Sequence, residues 1–232
     1  MTVAIMQPYI FPYLGYFQLL AAVDTFVLYD NIQYTKKGWI NRNRILEGGH
    51  AALFTLPIAS ASDYLDVRDR ELAPDYAPQK LLARVAGAYR KAPYFKQTME
   101  LLDEALTCPE RNLFGYLHQA LRLTAAHLGV DTEIRVSSTI PVDHTLKGQS
   151  RVLAICDELG ATTYVNPIGG VDLYSRQDFA SHGTHLEFLR LLPLEYAQGA
   201  HEFVPNLSII DVLMHNPIDV VQRWVSTHYE LT

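Results

Sequence analysis

A chain of 232 residues is long enough to bury a substantial core, and with 49% hydrophobic and 19% charged residues it has the composition of a folded globular protein, not a disordered one. Its formal net charge of -6 argues against nucleic acid as a partner, which demands concentrated positive charge, but leaves room for a local cationic pocket. No apolar run approaches the roughly 18 residues of a membrane span, and the start of the chain lacks the signals of a secretory leader, so the cytoplasm is the expected compartment.

Val3 to Met6 is a short apolar run ended by Gln7-Pro8; proline cannot donate to a sheet ladder, so a strand is predicted to stop there. Pro12 and Gly15 punctuate a loop, Tyr16 to Val23 has helix-forming composition, and Asp24 closes it. Thr25 to Tyr29 reads as a buried strand, and strand, loop, helix, strand is the opening of a parallel α/β sheet. Asp30 to Arg44 reads as a polar loop, Gly48-Gly49 as a turn, and Ala51 to Ile58 as another strand, followed by an irregular stretch from Ser60 to Asp75. Three helices are predicted next, over Pro78–Arg90, Tyr94–Leu106 and Asn112–Leu128, parted by Pro93 and Pro109. In the third, Leu113, Leu117, Leu121, Thr124 and Leu128 recur at the spacing of a core-facing stripe.

Thr132 to Ser138 is a candidate strand, and Lys147 to Leu159 a helix that Gly160 caps. A strand from Thr162 to Val165 breaks at Asn166-Pro167, Gly169-Gly170 forms a turn, and a short helix runs to His182. His185 to Leu191 is a further strand; Ser208 caps the next helix and Pro217 restarts one that reaches about Tyr229. The two cysteines, Cys108 and Cys156, form no CxxC, so neither a disulfide framework nor a zinc knuckle is indicated, and Cys156 falls at an apolar helical position as a packing thiol. The expected fold is a single α/β domain over residues 1–232, a mostly parallel, Rossmann-like sheet of four to six strands flanked by helices, with a helical insert near residues 76–129. Ligands of such sheets bind beyond the carboxyl ends of the strands. Gln7-Pro8-Tyr9, Asp30-Asn31 and Asn166-Pro167 stand at those ends and are predicted to meet at one edge.

Asp30 to Arg44 (DNIQYTKKGWINRNR) is a local anomaly in an acidic protein, with Gln33, Lys36, Lys37, Trp39, Asn41, Arg42, Asn43 and Arg44 close together. Arginine offers a fork to phosphate or carboxylate, lysine a mobile point charge, and Trp39 a face for a base or sugar. Solvated surface charge is the plain alternative. Asp30, at a strand end, is a candidate base or metal ligand. Histidine as a residue type has a reference pKa near neutrality, which makes His144 a second candidate base, and Lys147 at a helix start suits an anion. Gln7 and Tyr9 lie in a loop shaped by proline, and Asn166, Gly169, Gly170 and Tyr174 in a second pocket loop. Fingerprints for dinucleotides, Walker A phosphate loops, HExxH metal sites and GxSxG elbows are absent. No metal is predicted.

MQPYIFPYLGYFQLL, VLYDNIQYTKKGWINRNRI, LGATTYVNPIGGVDLY and PNLSIIDVLMHN, in that order along the chain, resemble the signature blocks of the WbqC-like family. That family takes its name from bacterial O-antigen gene clusters. The resemblance implies a part in surface polysaccharide (lipopolysaccharide) synthesis, on a nucleotide-linked or lipid-linked amino sugar, by acyl or aminoacyl transfer. The opening also resembles adenylate-forming enzymes of the pantothenate synthetase type, but Tyr13-Leu14-Gly15-Tyr16 stands where their HxGH would be. Three readings are carried forward: a transferase drawing on an activated acyl donor, an ATP-dependent ligase or nucleotidyltransferase, and a non-catalytic sugar-nucleotide-binding protein. In the first, Asp30 or His144 takes a proton, Asn43 and Gln7 orient the acceptor, and Lys36, Lys37, Arg42 and Arg44 bind phosphate. Oligomeric state is not specified by the sequence.

Overall fold

The structure, a computed structural model, describes residues 1–200 and 202–232. Its centre is a six-stranded sheet in the order β5-β2-β1-β6-β7-β8. These strands are β1 (Thr2–Met6), β2 (Thr25–Leu28), β5 (Glu133–Val136), β6 (Thr163–Pro167), β7 (His185–Leu191) and β8 (Tyr229–Leu231). The first five in that order run parallel, and β8 closes the edge antiparallel to β7. From β1 the chain moves outward to β2 and β5, then returns to place β6 on the other side of β1. The carboxyl edge between β1 and β6 is therefore the switch point, where diverging connections leave a crevice.

The strands are short apolar runs because both faces are covered. Val3, Ile5 and Val27 pack with Val152, Ile155, Cys156 and Phe179, the last four contributed by α5 (Gly148–Leu159) and α6 (Arg176–Ser181). Ala4, Phe26 and Leu28 belong to the larger core on the other face. That core includes α1 (Leu14–Ala21), the three-helix insert α2 (Pro78–Tyr89), α3 (Phe95–Leu106) and α4 (Leu113–His127), and the terminal helices α7 (Ile209–His215) and α8 (Ile218–Thr227). The predicted leucine stripe of α4 is buried there, and Asn112 caps that helix by accepting from the Gly115 amide at 3.1 Å. No helix among the described residues is long and apolar enough to cross a membrane.

Three departures from the sequence reading bear on the site. The strand expected at Ala51–Ile58 does not join the sheet; β3 (Arg42–Glu47) and β4 (His50–Thr55) form a separate antiparallel hairpin around Gly48-Gly49, whose φ angles are 57° and 82°. The expected loop to Arg44 thus ends at Asn41. Its last residues alternate between half-buried and buried, a strand period hidden because the buried member, Asn43, is polar. Second, α1 begins before Gly15, where an added Cβ would stand 2.5 Å from the Tyr13 ring and 2.7 Å from Leu191, so glycine lets the helix approach the end of β7. Third, the last helix stops at Thr227, and Tyr229–Leu231 pair with β7 instead of continuing it.

Gly160 ends α5 with φ 65°, and an added Cβ would meet nothing within 4 Å, so only backbone strain opposes a side chain there. Gly160→Ala is expected to cost about 1 kcal/mol in urea unfolding, whereas Gly87→Ala, inside α2 with equally open space, is expected to gain up to about 1 kcal/mol.

Candidate functional site

The loop leaving β1 carries an unusual burden. Phe11 is buried, yet its φ is 40°, a left-handed conformation that costs a side-chain-bearing residue roughly 1–2 kcal/mol. Neighbours over-determine it. Asn43 Nδ2 donates to the Ile10 and Phe11 carbonyls at 3.1 and 2.7 Å, and Ser208 Oγ donates to the Phe11 carbonyl at 2.7 Å. The Ser208 amide donates to the Arg44 carbonyl at 2.9 Å, and the Ile209 amide to the Pro12 carbonyl at 3.0 Å. The β1 exit, the hairpin and the start of α7 are thereby fixed to one another.

Between them opens a cleft of about 490 Å³, walled by Tyr9 and Tyr13 from the β1 exit, Trp39 and Arg44 from the hairpin side, Ile168 after β6 and Arg190 at the end of β7. Among the described residues its lining contains no Asp, Glu or His. Arg44 Nη2 donates to the Asn206 carbonyl at 3.1 Å, while its Nε is buried without a partner. The guanidiniums of Arg44 and Arg42 lie 5.3 and 5.7 Å from the Trp39 ring centroid, and Trp39 is 41% exposed. Arg190 pairs with Glu230 at 3.4 Å in an exposed contact. Burial pushes the Tyr9 phenol up, with Tyr13 adding to it, and burial raises Tyr13 too, so both are neutral hydrogen-bond donors near pH 7. The cleft offers donors, positive charge and an indole face: it can hold an anion attached to a ring.

A second cavity of about 470 Å³ shares Tyr13, Leu191 and Asn206 with the first. Tyr196 in its wall is anchored by buried Asp211, which accepts from Tyr89 Oη at 2.9 Å, Tyr196 Oη at 2.6 Å and Gln198 Nε2 at 2.7 Å. Burial, followed by the Asp211 charge, raises both phenols strongly, so these hydroxyls stay protonated as donors.

Of the residues singled out from sequence, Tyr9, Trp39, Asn43 and Arg44 line the cleft. Asn43 acts there as a strut, its amide being spent on backbone. Gln7 adjoins it, accepting from Tyr9 Oη at 3.3 Å, while its carbonyl takes Tyr16 Oη at 2.8 Å. Arg42 donates to the Gly38 carbonyl at 2.8 Å and to the Lys37 carbonyl, bracing the turn that presents Trp39. Asn41 is buried, bonding Tyr34 Oη and the Leu56 carbonyl. Gln33 donates to the Asp63 carbonyl at 2.9 Å, Lys36 pairs with Asp63 at 2.9 Å in an exposed contact, and Lys37 is exposed. Asn166 is buried; it accepts from Tyr164 Oη at 3.2 Å, and its amide abuts Gly170, where a Cβ would fall 2.1 Å away. Gly169 is exposed, and Tyr174 packs on Tyr164 and Phe179.

Asp30 does not have the geometry of a free base. Its carboxylate is buried and accepts from Ser137 Oγ at 2.9 Å, the Ser138 amide at 2.9 Å and Ser138 Oγ at 2.6 Å, which ties β2 to the end of β5. His144 and Lys147 are exposed and stand before α5, with His144 Nδ1 3.1 Å from Asn31 Nδ2. Sequence reasoning passed over Tyr13, Arg190, Asn206 and Arg151. Arg190 follows the same strand-end rule that pointed to Gln7; the others carry no local signal. No cluster of three or more His, Cys, Asp or Glu is placed to hold a metal among the described residues.

A sequence-family model described as the WbqC-like protein family matches residues 7–223, which include every residue that lines the cleft. A relative from Mycobacterium tuberculosis (strain ATCC 25618 / H37Rv), described as uncharacterized protein Rv1507c, is 27% identical over 217 residues, covering 92% of this chain and 93% of the relative. No solved structure matches the chain.

The contrast between buried and exposed charge is measurable. Asp30→Ala strands the Ser138 hydroxyl and amide and leaves the Ser137 hydroxyl only Asn31 Oδ1 as acceptor, and is expected to lower stability by about 3 kcal/mol in chemical unfolding. Lys36→Ala removes a solvent-exposed ion pair and is expected to change it by less than about 1 kcal/mol.

Proposed function

We propose that this chain, which belongs to the WbqC-like protein family, binds a nucleotide-linked sugar in the switch-point cleft and transfers an acyl or aminoacyl group to its amine during surface polysaccharide synthesis. The observation that carries the reading is Arg44: a guanidinium on the cleft wall that pairs with no carboxylate among the described residues, in a cleft whose described lining holds no carboxylate. An arginine left without an acidic partner is completed by an anionic guest, and its fork matches phosphate oxygens. Trp39, partly exposed beside it, supplies the stacking face for a base or sugar. Tyr9 and Tyr13 supply hydroxyl donors that orient polar groups of the guest. Transfer in this reading rests on positioning and on fixed positive charge near the developing negative charge: the sugar amine attacks the acyl carbon of the activated donor, the bond to the activating group breaks and that group leaves with the bonding pair, and the amine proton passes to solvent.

A second reading, a non-catalytic sugar-nucleotide-binding protein, draws on the absence of any carboxylate or imidazole among the described lining residues, so that no conventional proton acceptor faces the guest. An ATP-dependent ligase would show itself by magnesium-dependent release of pyrophosphate or ADP. Calorimetric titration with a panel of nucleoside-diphosphate amino sugars is expected to show saturable binding, weakened about tenfold or more by Arg44→Ala and by Trp39→Ala. Equal affinity in Arg44→Ala contradicts the cleft as the binding site. Turnover of the bound sugar with an acyl donor selects the transferase, and tight binding with no turnover selects the carrier.

A further inference from the structure

We infer that a separate phosphate-binding position lies where Arg151, His144 and the start of α5 converge at the carboxyl edge of the sheet. The position stands on its own residues and does not require the cleft to be occupied.

Arg151 sits in the first turn of α5 and is 7% exposed, yet it makes no ion pair among the described residues. Its Nη1 donates to the Asn31 carbonyl at 3.0 Å, its guanidinium lies 5.1 Å from the Tyr29 ring centroid, and its Nε is buried with no partner. A desolvated guanidinium whose partners are a carbonyl, an aromatic face and one long contact to a ring nitrogen, with no carboxylate among them, is under-compensated. The neighbouring acid cannot serve, because Asp30 is committed to Ser137 and Ser138.

Nη2 faces His144 Nδ1 at 3.4 Å. A guanidinium has only donors, so this imidazole nitrogen is the acceptor and carries no proton. His144 is exposed, on the loop before α5, and it occupies the place that an anionic oxygen would fill with a stronger, charge-assisted bond. Three further features favour an anion at that place. The helix α5, of 12 residues, starts without a side-chain cap, so no capping side chain offsets the positive end of the helix dipole. Gly148, with φ 54°, leaves open space where a side chain would stand. Lys147 is exposed one residue before the helix. Two nearby acids are engaged elsewhere: Asp143, on the loop before α5, accepts from Thr145, and Asp178, in α6, accepts from Gln149 Nε2. The chemistry recognised is a phosphate group, supplied by inorganic phosphate or by the diphosphate of a nucleotide.

The test is calorimetric melting with inorganic phosphate at about 10 mM against chloride of equal ionic strength, on the full chain and four variants. The wild type is expected to gain about 3 °C in phosphate. Arg151→Lys keeps the charge and the stem but loses the fork, and Arg151→Gln loses both; each is expected to lose the gain. Lys147→Gln, at an exposed position, is expected to reduce it, and Arg44→Ala to retain it. If the Arg151 variants do not fold, the wild-type His144 ring resonances report instead, and phosphate is expected to shift them saturably. No gain in the wild type, unmoved His144 resonances, or an undiminished gain in Arg151→Lys overturns the inference. A gain abolished by Arg44→Ala but kept by Arg151→Lys places phosphate in the cleft, overturning this position while sparing the cleft reading. Repeating the titration with uridine diphosphate separates the sources: weaker binding in Arg151→Lys assigns the position to a nucleotide diphosphate, and unchanged binding beside a lost phosphate response assigns it to free phosphate.

Discussion

The Phe11 carbonyl is the point on which the carboxyl edge depends. Asn43 and Ser208 both donate to it, from a hairpin strand and from a helix start, and together they hold a left-handed phenylalanine that the local chain would not choose. Their grip sets the direction of the loop from Gln7 to Tyr13 and hence the position of Tyr9 and Tyr13. It also fixes the register of the hairpin that carries Arg44, because the Arg44 carbonyl accepts from the Ser208 amide and the Arg44 amide donates to Asn43 Oδ1. Strain of this kind persists only where surrounding bonds outweigh it, and such places gather at binding sites. The cleft is thus a product of three segments far apart in sequence, none of which has its shape alone.

Charge has a matching logic. The chain is acidic overall, yet Arg44, Arg70 and Arg151 each bury an Nε with no partner, and none of them pairs with a carboxylate among the described residues. Arg70 rests on the Tyr34 ring at 4.7 Å and donates to the Ser62 carbonyl, bracing the loop beneath the hairpin. Arg44 faces the cleft, and Arg151 lies under the start of α5. Guanidiniums tolerate partial desolvation better than ammonium groups because they are weakly hydrated and stack on aromatic faces. Tyr29, Tyr34 and Trp39 serve that purpose for Arg151, Arg70 and Arg44. The exposed lysines of the same region, Lys36 and Lys37, remain in solvent.

Much of the scaffold was legible in the sequence because periodicity and punctuation are local. The apolar run of β1 ended near Pro8, the leucine stripe of α4 had helical spacing, Gly160 marked the end of α5, and Ser208 capped α7. The gathering of Gln7, Asp30 and Asn166 at one edge followed from parallel strand order. What was not legible depends on tertiary partners. Asn41 and Asn43 look like recognition residues in a polar stretch, yet their amides satisfy buried backbone and a phenol. Asp30 looks like a base until the serines of β5's end reach it. Arg151, in turn, looks like a solvated helix residue until Tyr29 and Asn31 enclose it. Side-chain type shows what a residue can offer; only the fold shows what has already been taken.

The most direct measurement uses the indole in the cleft as its own reporter. The chain has two tryptophans, Trp39 and Trp224, and replacing Trp224 by phenylalanine leaves Trp39 as the sole indole, excited selectively at wavelengths where tyrosine does not absorb. Titration of that variant with a nucleoside-diphosphate sugar is predicted to change Trp39 emission saturably, with the same midpoint as calorimetric binding. Calorimetric binding with Trp39 emission unaltered would contradict the account, because the guest would then sit away from the cleft that Asn43 and Ser208 build.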